Sequence, residues 1–207
     1  MNSFSSQDFL DFNRCPKLAW LRKKRPDVFP EPERFLFDQR RDIENLALSL
    51  FPGGAEKSEL NISKPLEAEF FSSDKGKAFI SKPWYRPQLR YLNWEAEALC
   101  LVPRESENGA VFDIYDTTLS RDLRDKDMDG LSYQAWVFAN AGFPIGQIFL
   151  LTLERDYVHQ IPPPARHVFR IRELTRRFHR FLPRITEKLE TLPQLHEETE
   201  EPFAETG

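Results

Sequence analysis

The stretch GAVFDIYDTTLS, residues 109–120, decides the fold because it joins a turn to a strand that ends in an acid. Successive residues of a strand point to opposite faces, so Phe112, Ile114 and Asp116 share one side. The two apolar residues predict that this side is buried. A carboxylate on the buried side of a strand needs a cation, a shared proton or hydrogen-bond donors. Asp116 is therefore the first candidate functional residue.

The segments around this strand predict an α/β domain. NWEAEALCLVP (93–103) alternates as a strand does, and the polar RESENGA (104–110) is typical of a hairpin connection. A predicted helix follows over 126–142, and then an apolar strand over 145–158. A strand, a helix and a strand joined by short links form a right-handed crossover, which predicts a parallel pair. The expected architecture is α/β, with a mixed central sheet flanked by helices.

The remaining segments complete one domain and a tail. Helical spacing behind an N-cap serine predicts N-terminal helices within residues 5–54. The sheet core is predicted over 60–158, and its first part is interrupted by prolines. A basic amphipathic helix is predicted over 170–192. The domain would therefore occupy residues 1–192, and the acidic residues 193–207 would form a flexible tail.

Composition limits the class of protein. The 207 residues are 40% hydrophobic with a net charge of −4, which allows a sizeable core and argues against indiscriminate binding of nucleic acid. No apolar run approaches the length of a membrane span, about 20 residues, and no signal-peptide pattern opens the chain. Cys15 and Cys100 are too few for a disulfide framework or an iron–sulfur cluster. We expect a cytoplasmic protein with no iron–sulfur cluster and no membrane partner.

Glu97 is the second candidate acid. It precedes Leu99 and Leu101 on one predicted strand face, so it would meet Asp116 at the edge of the core. A divalent cation such as Mg²⁺ or Mn²⁺ would relieve the repulsion of the two acids and could activate a water for phosphodiester hydrolysis. In the structural alternative, Asp116 accepts hydrogen bonds from the turn and Glu97 reaches solvent. The pattern leaves both interpretations open.

Arginines in the C-terminal segment are candidate nucleic-acid contacts. They are Arg170, Arg176, Arg177, Arg180 and Arg184. They would track a phosphate backbone while the interleaved phenylalanines stack on bases. In the structural alternative, the phenylalanines form the buried stripe of the helix, and the arginines are solvated or paired with the acidic tail.

Three stretches taken together resemble the PD-(D/E)XK nuclease superfamily, in its RecB-like branch. They are SSQDFLDFNRCPKLAWLRKKRPD (5–27), FDQRRDIENLALSLFPGG (37–54) and GLSYQAWVFANAG (130–142). The similarity spans roughly residues 3–158. It implies a restriction-endonuclease-like fold, a divalent metal and cleavage of DNA.

The motif of that family is altered in this sequence. By the resemblance, Glu97 stands where the family has a metal-binding Asp, and Asp116 replaces the Glu of its Glu-x-Lys. Thr118 occupies the position of the lysine that orients water and stabilises developing charge. Glu44 and Asn45 stand where the family has Gly-Glu. Displacing a reacting group by about 1 Å costs up to ~10²-fold in rate, so several changes at one site argue against full activity.

The resemblance also supplies a role for the helix over 126–142. Gln134 is retained, while Trp136 replaces the family's tyrosine. The implied catalytic set is Glu97, Asp116 and Gln134, with the two acids as metal ligands. We expect a nuclease-fold protein with an eroded catalytic motif that binds DNA or a protein partner in bacterial DNA transactions or defence. The alternative is an active Mg²⁺- or Mn²⁺-dependent DNA nuclease that uses Glu97 and Asp116.

Overall fold

The computed structural model of the chain describes residues 3–29, 34–56, 59–74, 76, 80–107, 109–155 and 164–197. Helices and strands alternate along these ranges. The helices are α1 (Ser6–Arg14), α2 (Pro16–Lys24), α3 (Arg34–Leu48), α4 (Ala68–Ser72), α5 (Asp125–Asn140), α6 (Ala165–Val168) and α7 (Thr175–Glu197). The strands are β1 (Ala55–Glu56), β2 (Leu60–Ile62), β3 (Trp84–Tyr85), β4 (Gln88–Tyr91), β5 (Trp94–Glu97), β6 (Cys100–Ser106), β7 (Gly109–Thr117), β8 (Ile145–Leu153) and β9 (Phe169–Glu173).

The strands form two sheets. The larger has the order β1-β3-β6-β7-β8-β9 and mixes parallel with antiparallel pairs, and the smaller has the order β2-β4-β5. The predicted hairpin is confirmed, because β6 and β7 pair antiparallel from Ser106↔Gly109 to Cys100↔Tyr115. The predicted parallel pair is also confirmed, because β7 and β8 run parallel with α5 as the crossover between them. The chain is thus a mixed α/β protein with a mixed central sheet flanked by helices.

Helices cover both faces of the larger sheet. On one face Phe112 and Ile114 pack in a core that also holds Tyr133 and Phe138 of α5. On the other face the end of α3, with Ala47, packs in a second core built around Cys100, Leu151 and Phe169. Burial on both faces explains why β8 reads as a near-continuous apolar run.

One predicted strand is wrong. Residues 93–103 do not form a single strand, because Trp94–Glu97 belongs to the smaller sheet and Cys100–Ser106 belongs to the larger. The chain changes sheets at Ala98 and Leu99, which are both buried. Alternation continues through this corner, so the pattern gives no sign of it. As a result Leu99 and Leu101 lie in different cores, and Glu97 is not on the strand that pairs with Asp116's strand.

The C-terminal segment also differs from its prediction. The start of the predicted helix 170–192 is strand β9, which pairs antiparallel with β8 at the edge of the sheet. Helix α7 then continues through Pro193 to Glu197, because Leu192 and Leu195 on its inner side are buried. The first five residues of the predicted tail 193–207 are therefore helical, and 198–207 lie outside the described residues.

The smaller sheet is fixed against α5 and the N-terminus. The Tyr133 hydroxyl of α5 donates to the backbone oxygens of Phe4, at 2.6 Å, and of Glu95, at 2.9 Å. Phe4 also bridges to Trp94 of β5. These contacts hold the smaller sheet opposite the end of β7, which leaves a cleft between them. No helix within the described ranges combines the length and the apolar character that crossing a membrane requires.

Candidate functional site

A cleft of about 1130 Å³ lies at the end of β7. Its lining comes from α1, α3, the smaller sheet, the end of β7, Leu150 of β8 and α5 as far as Gln134. It contains three of the predicted site residues, Glu97, Asp116 and Gln134, together with Thr118. The described structure therefore brings these residues to one place, although by a different strand arrangement from the predicted one.

Asp116 lies in this cleft because it follows Phe112 and Ile114 on one face of β7. Its strand neighbour on β8 is the buried Leu150. The side chain is half-buried, with Oδ1 accepting from the Thr117 backbone N–H at 2.7 Å and Oδ2 accepting from Gln134 Nε2 at 2.8 Å. Burial raises the pKa of Asp116 from 3.8 to about 6, although both hydrogen bonds and the charge of Arg40 oppose that rise.

Gln134 reaches Asp116 from the inner face of α5. It lies one turn after the buried Leu131 and is only 8% exposed. Its Nε2 donates to Asp116, but Oε1 is buried and has no hydrogen-bond partner among the described residues. A buried amide oxygen without a donor is unfavourable by about 1–3 kcal/mol. The floor of the cleft therefore carries an unsatisfied acceptor beside a desolvated carboxylate.

Glu97 is at the edge of the cleft rather than on its floor. It ends β5, where it lies opposite Gln88 of β4, and its side chain is exposed. Gln88 Nε2 donates to Glu97 Oε2 at 3.1 Å. The exposure of Glu97 agrees with the structural alternative for the two acids, whereas Asp116 accepts from Thr117 of its own strand and from Gln134 and not from the turn.

Thr118, at the position of the expected lysine, supports the loop after β7. Its hydroxyl donates to Asp127 Oδ1 at 3.1 Å and accepts from the Ser120 N–H at 3.3 Å. Asp127 in turn accepts from the Arg124 backbone N–H at 2.9 Å, at the start of α5. Thr118 thus joins the loop to the helix and supplies no positive charge.

Three residues of the cleft were not predicted as site residues. Glu44 of α3 accepts from Arg40 Nε at 2.7 Å and lies 3.7 Å from Arg86 Nε. Arg86 also donates to Asn45 and, at 2.8 Å, to Glu56. Arg40 and Glu44 are four residues apart on a predicted helix, so their ion pair could have been predicted from the sequence. The contact between Arg86 and Glu44 could not have been predicted, because the two residues are far apart in the chain.

Arg86 is also unusual in its backbone. Its φ of 44° lies in the left-handed region, which costs a non-glycine residue on the order of 1–2 kcal/mol. The backbone N–H donates to Leu99 O at 2.9 Å, at the corner where the chain changes sheets. The turn that carries β3 into β4 therefore aims the Arg86 side chain at Glu44.

Arg40 brings positive charge close to the acids of the cleft. Its side chain is 63% exposed at the mouth. The pKa of Arg40 is raised above its ordinary value. Desolvation lowers it, but the hydrogen bond to Glu44 and the negative charges of Glu44, Asp116 and Glu97 raise it by more. Arg40 therefore compensates part of the negative charge that a bound cation would compensate in a metal enzyme.

The predicted arginines lie on a surface beside the cleft and not in it. All five are exposed, and none of them lines the cleft as described. Arg177 lies 3.9 Å from Asp125, at the start of α5, and faces the Phe181 ring at 5.8 Å. Phe178 of α7 is buried, as the structural alternative expects, whereas Phe169 is buried on β9 rather than on the helix and Phe181 is partly buried.

The two predicted metal ligands, Asp116 and Glu97, have different surroundings. In the described ranges no three His, Cys, Asp or Glu side chains are grouped to hold a metal ion. Mg²⁺ commonly takes one or two carboxylates together with waters and phosphate. Here Asp116 is held by N–H donors on the floor, whereas Glu97 is exposed and bonded to Gln88.

Comparison with known proteins adds no family to this geometry. No family model matches the chain, and none of the curated proteins gives a significant match. The residues of the cleft and their contacts are therefore the observations that bear on function.

Proposed function

We propose that this chain is a nucleic-acid-binding protein built on a restriction-endonuclease-like fold whose catalytic site is eroded. The fold component is supported by the mixed sheet, the β6–β7 hairpin, the parallel β7–β8 pair and the helices on both faces. It is also supported by the resemblance of three stretches of the sequence to PD-(D/E)XK nucleases. The cleft lies at the end of β7, where the resemblance places the active site.

The observation that carries the loss of catalysis is the neutral hydroxyl of Thr118, which is bonded to Asp127 at the position where the resemblance expects a lysine. Gln134 holds Asp116, and two arginines, Arg40 and Arg86, approach Glu44. Thr118 offers a neutral hydroxyl where a nuclease of this type has a lysine. Losing one donor to developing transition-state charge costs about 3–4 kcal/mol, a rate loss of at least about 10²-fold. Binding of nucleic acid does not need that donor.

The binding component rests on positive charge at the surface. The exposed arginines of α7 follow its solvent side, because Arg176, Arg177, Arg180 and Arg184 recur at helical spacing opposite the buried residues. Lysines and arginines on such a surface neutralise phosphates and release counterions. Since the net charge of the chain is −4, the positive charge is local.

Salt-dependent binding tests this proposal. We expect the chain to bind a single-stranded oligonucleotide with an affinity that falls as salt rises. Arg176→Ala plus Arg180→Ala should weaken binding and reduce the slope of log K against log salt by about 0.7 for each phosphate that is no longer neutralised. Fluorescence anisotropy at several salt concentrations measures both quantities.

A matched charge change supplies the control. Lys64→Ala plus Lys82→Ala removes the same two charges from exposed positions that neither line the cleft nor lie on α7. If both double variants lower the slope equally, binding is spread over the surface of the protein and is not specific to the arginines of α7. If no oligonucleotide binds even at low salt, nucleic acid is not the ligand.

A second candidate is an active Mg²⁺- or Mn²⁺-dependent nuclease. It is favoured by the presence of Asp116, Gln134 and Glu97 in one cleft although they come from three different elements. Incubation of linear and single-stranded DNA with Mn²⁺, for the natural chain and for Asp116→Ala, separates the two candidates. The binding proposal expects no cleavage above the level of the variant. Cleavage by the natural chain that the variant abolishes would favour the nuclease.

A further inference from the structure

The floor of the cleft has more hydrogen-bond acceptors than the described donors satisfy. Each Asp116 oxygen accepts one N–H, which leaves an acceptor position on each. Gln134 is 92% buried by its 8% exposure, and its Oε1 has no partner in the described part of the chain. A ligand that completes this floor must therefore present N–H or O–H groups.

The mouth of the cleft has the opposite character. Arg41, Arg124 and Lys126 line it, are exposed, and form no ion pair with any described residue. Other cations of the cleft are already paired, as Arg40 is with Glu44 and Arg90 is with Glu95. The free cations of the cleft are thus exposed residues at the entrance, where the exposed carboxylate of Glu97 also lies, and the buried free acceptors are on the floor.

A nucleotide has this polarity, with an anionic phosphate at one end and a base with N–H groups at the other. Guanine is the base that presents two adjacent donors, N1–H and the N2 amino group, to a carboxylate. Adenine and cytosine place an acceptor beside their amino group, and thymine has a single N–H between two acceptors. We propose that the cleft binds one unpaired guanine of a single strand, with its donor edge on Asp116 and Gln134 and its phosphates at Arg41, Arg124 and Lys126.

The walls and the size of the cleft suit a base. Leu10, Leu131 and Leu150 are among its lining residues, so apolar surface is available to the faces of the ring. Its volume of about 1130 Å³ is slightly above the range of ordinary ligand sites, which extends to about 1,000 Å³. The pocket therefore has room for a nucleotide with its backbone.

The α7 arginines lie where the rest of a strand would continue. Arg177 is 3.9 Å from Asp125, and Asp125 lies between the mouth residues Arg124 and Lys126. From Arg176 to Arg184 the helix rises about 12 Å. A strand with one base in the cleft would thus pass onto positive surface as it leaves. This inference rests on the proposed function and adds to it the identity of the base.

The test compares single-stranded oligonucleotides that differ at one base. A thymidine strand with one central guanine is compared with the same strand carrying inosine, which lacks only the N2 amino group, or adenine. At pH 8 and low salt, we expect the guanine strand to bind the full chain about tenfold more tightly than the inosine strand, because inosine makes one hydrogen bond fewer to a charged acceptor. Fluorescence anisotropy gives the three affinities.

Two sets of variants locate the effect. Asp116→Asn and Gln134→Met should remove the preference for guanine over inosine, with folding verified by circular dichroism. Arg41→Ala plus Arg124→Ala should weaken all three strands by the same factor and lower the salt slope by about 1.4. The Lys64→Ala plus Lys82→Ala chain is expected to keep the guanine preference.

The inference and the proposed function fail in different ways. Equal, salt-sensitive affinity for guanine, inosine and adenine would overturn the guanine site and leave nucleic-acid binding in place. A guanine preference that survives both Asp116→Asn and Gln134→Met would also overturn it. Absence of binding to every strand at low salt would overturn both. Since inosine changes only the ligand, the central comparison does not depend on a variant that folds poorly.

Discussion

Strand β7 carries two acids, Asp113 and Asp116, that are three residues apart and have different hydrogen-bond environments. Asp113 is 4% exposed, and it accepts two hydrogen bonds from Arg104, at 2.8 and 3.1 Å, and one from the Gln147 backbone N–H at 2.7 Å. Asp116 has two N–H donors, no ion pair among the described residues, and a pKa raised to about 6 by burial. We call Asp113 the closed acid, because the protein supplies it with an ion pair and three hydrogen bonds. We call Asp116 the open acid, because it has two hydrogen bonds and keeps unused acceptor positions.

The difference separates an acid that joins two strands of the sheet from an acid that keeps unused acceptor positions in a cleft. Asp113 lies where the register between β7 and β8 shifts, between Phe112 and Ile114, and its bond to Gln147 joins the two strands there. Asp116 lies at the open end of the same strand, beside the unpaired Oε1 of Gln134. Perturbed groups in a cleft with unsatisfied neighbours are where functional sites are found.

Removing the closed acid should have the largest effect on stability. Asp113→Ala leaves the Gln147 N–H without its acceptor and deletes both bonds to Arg104. We expect a loss of about 3 kcal/mol in the free energy of unfolding, measured by urea denaturation. The control is Asp122→Ala, since Asp122 also pairs with an arginine, Arg155, but its side chain is 63% exposed. That variant should lose less than about 1 kcal/mol. Equal losses would break the comparison.

Neutralising the open acid should act in the opposite direction. Asp116 has a folded-state pKa of about 6 against an ordinary value of 3.8, so the folded chain holds its proton to higher pH than the unfolded chain does. The stability of the natural protein should therefore fall as pH rises from about 4 to about 6. Asp116→Asn removes this dependence and keeps an acceptor for the Thr117 N–H. Relative to the natural chain, the variant should gain up to about 3 kcal/mol across that window.

Urea denaturation at pH 4, 5, 6 and 7 measures this difference. Other groups titrate in the same range, but they contribute equally to the two proteins and cancel in the comparison. Parallel stability curves would mean that Asp116 is as well solvated as a surface acid. That outcome would contradict the raised pKa of Asp116 and would leave its hydrogen bonds as the feature that distinguishes it on β7.

The sequence predicts the local structure that carries Asp116, but it does not predict the long-range contacts that surround the two acids. Strand β7, its hairpin and its parallel partner follow from a turn, a period of two and a crossover helix, so Asp116 was placed on the inner face correctly. The switch of sheets at Ala98 was not predictable, because both halves of 93–103 alternate. Glu97 therefore reaches the cleft from another sheet, where its side chain is exposed.

The environment of the acids is likewise a product of tertiary contacts. Asp113 reads as an ordinary polar position on β7, and only the approach of Gly146 and Arg104 shows that it is enclosed. Arg86 reaches Glu44 from 42 residues further along the chain, through a backbone conformation that no local pattern marks. Gln134 was found by its resemblance to a family helix, since a glutamine on an apolar helix face has no periodic signal of its own.

Crowding the closed acid should have a smaller effect than removing it. A Cβ on Gly146 would lie 2.4 Å from Asp113 Oδ1 and 2.9 Å from Val111 Cγ2. Gly146→Ala therefore forces the side chains of Asp113 and Val111 away from residue 146. We expect a loss of about 2 kcal/mol by urea denaturation. Gly109→Ala is the control, because its φ of 108° is strained for alanine while nothing lies within 4 Å. It should lose about 1 kcal/mol from the backbone alone. A larger loss for Gly109→Ala would mean that the packing around Asp113 yields easily.

The smallest expected effect concerns the loop beside the open acid. Thr118→Val keeps the shape of the side chain and deletes its hydrogen bonds with Asp127 and Ser120, so it should cost about 1 kcal/mol of stability. Thr191→Val, which deletes a hydroxyl bond to Glu187 O on an exposed helix position, should cost less. If Thr118 acts only as a support for the loop, Thr118→Val should leave the affinity for single-stranded DNA unchanged. A large loss of affinity without a loss of stability would place Thr118 in contact with the ligand. The ligand-binding surface would then include the loop after β7 as well as Asp116.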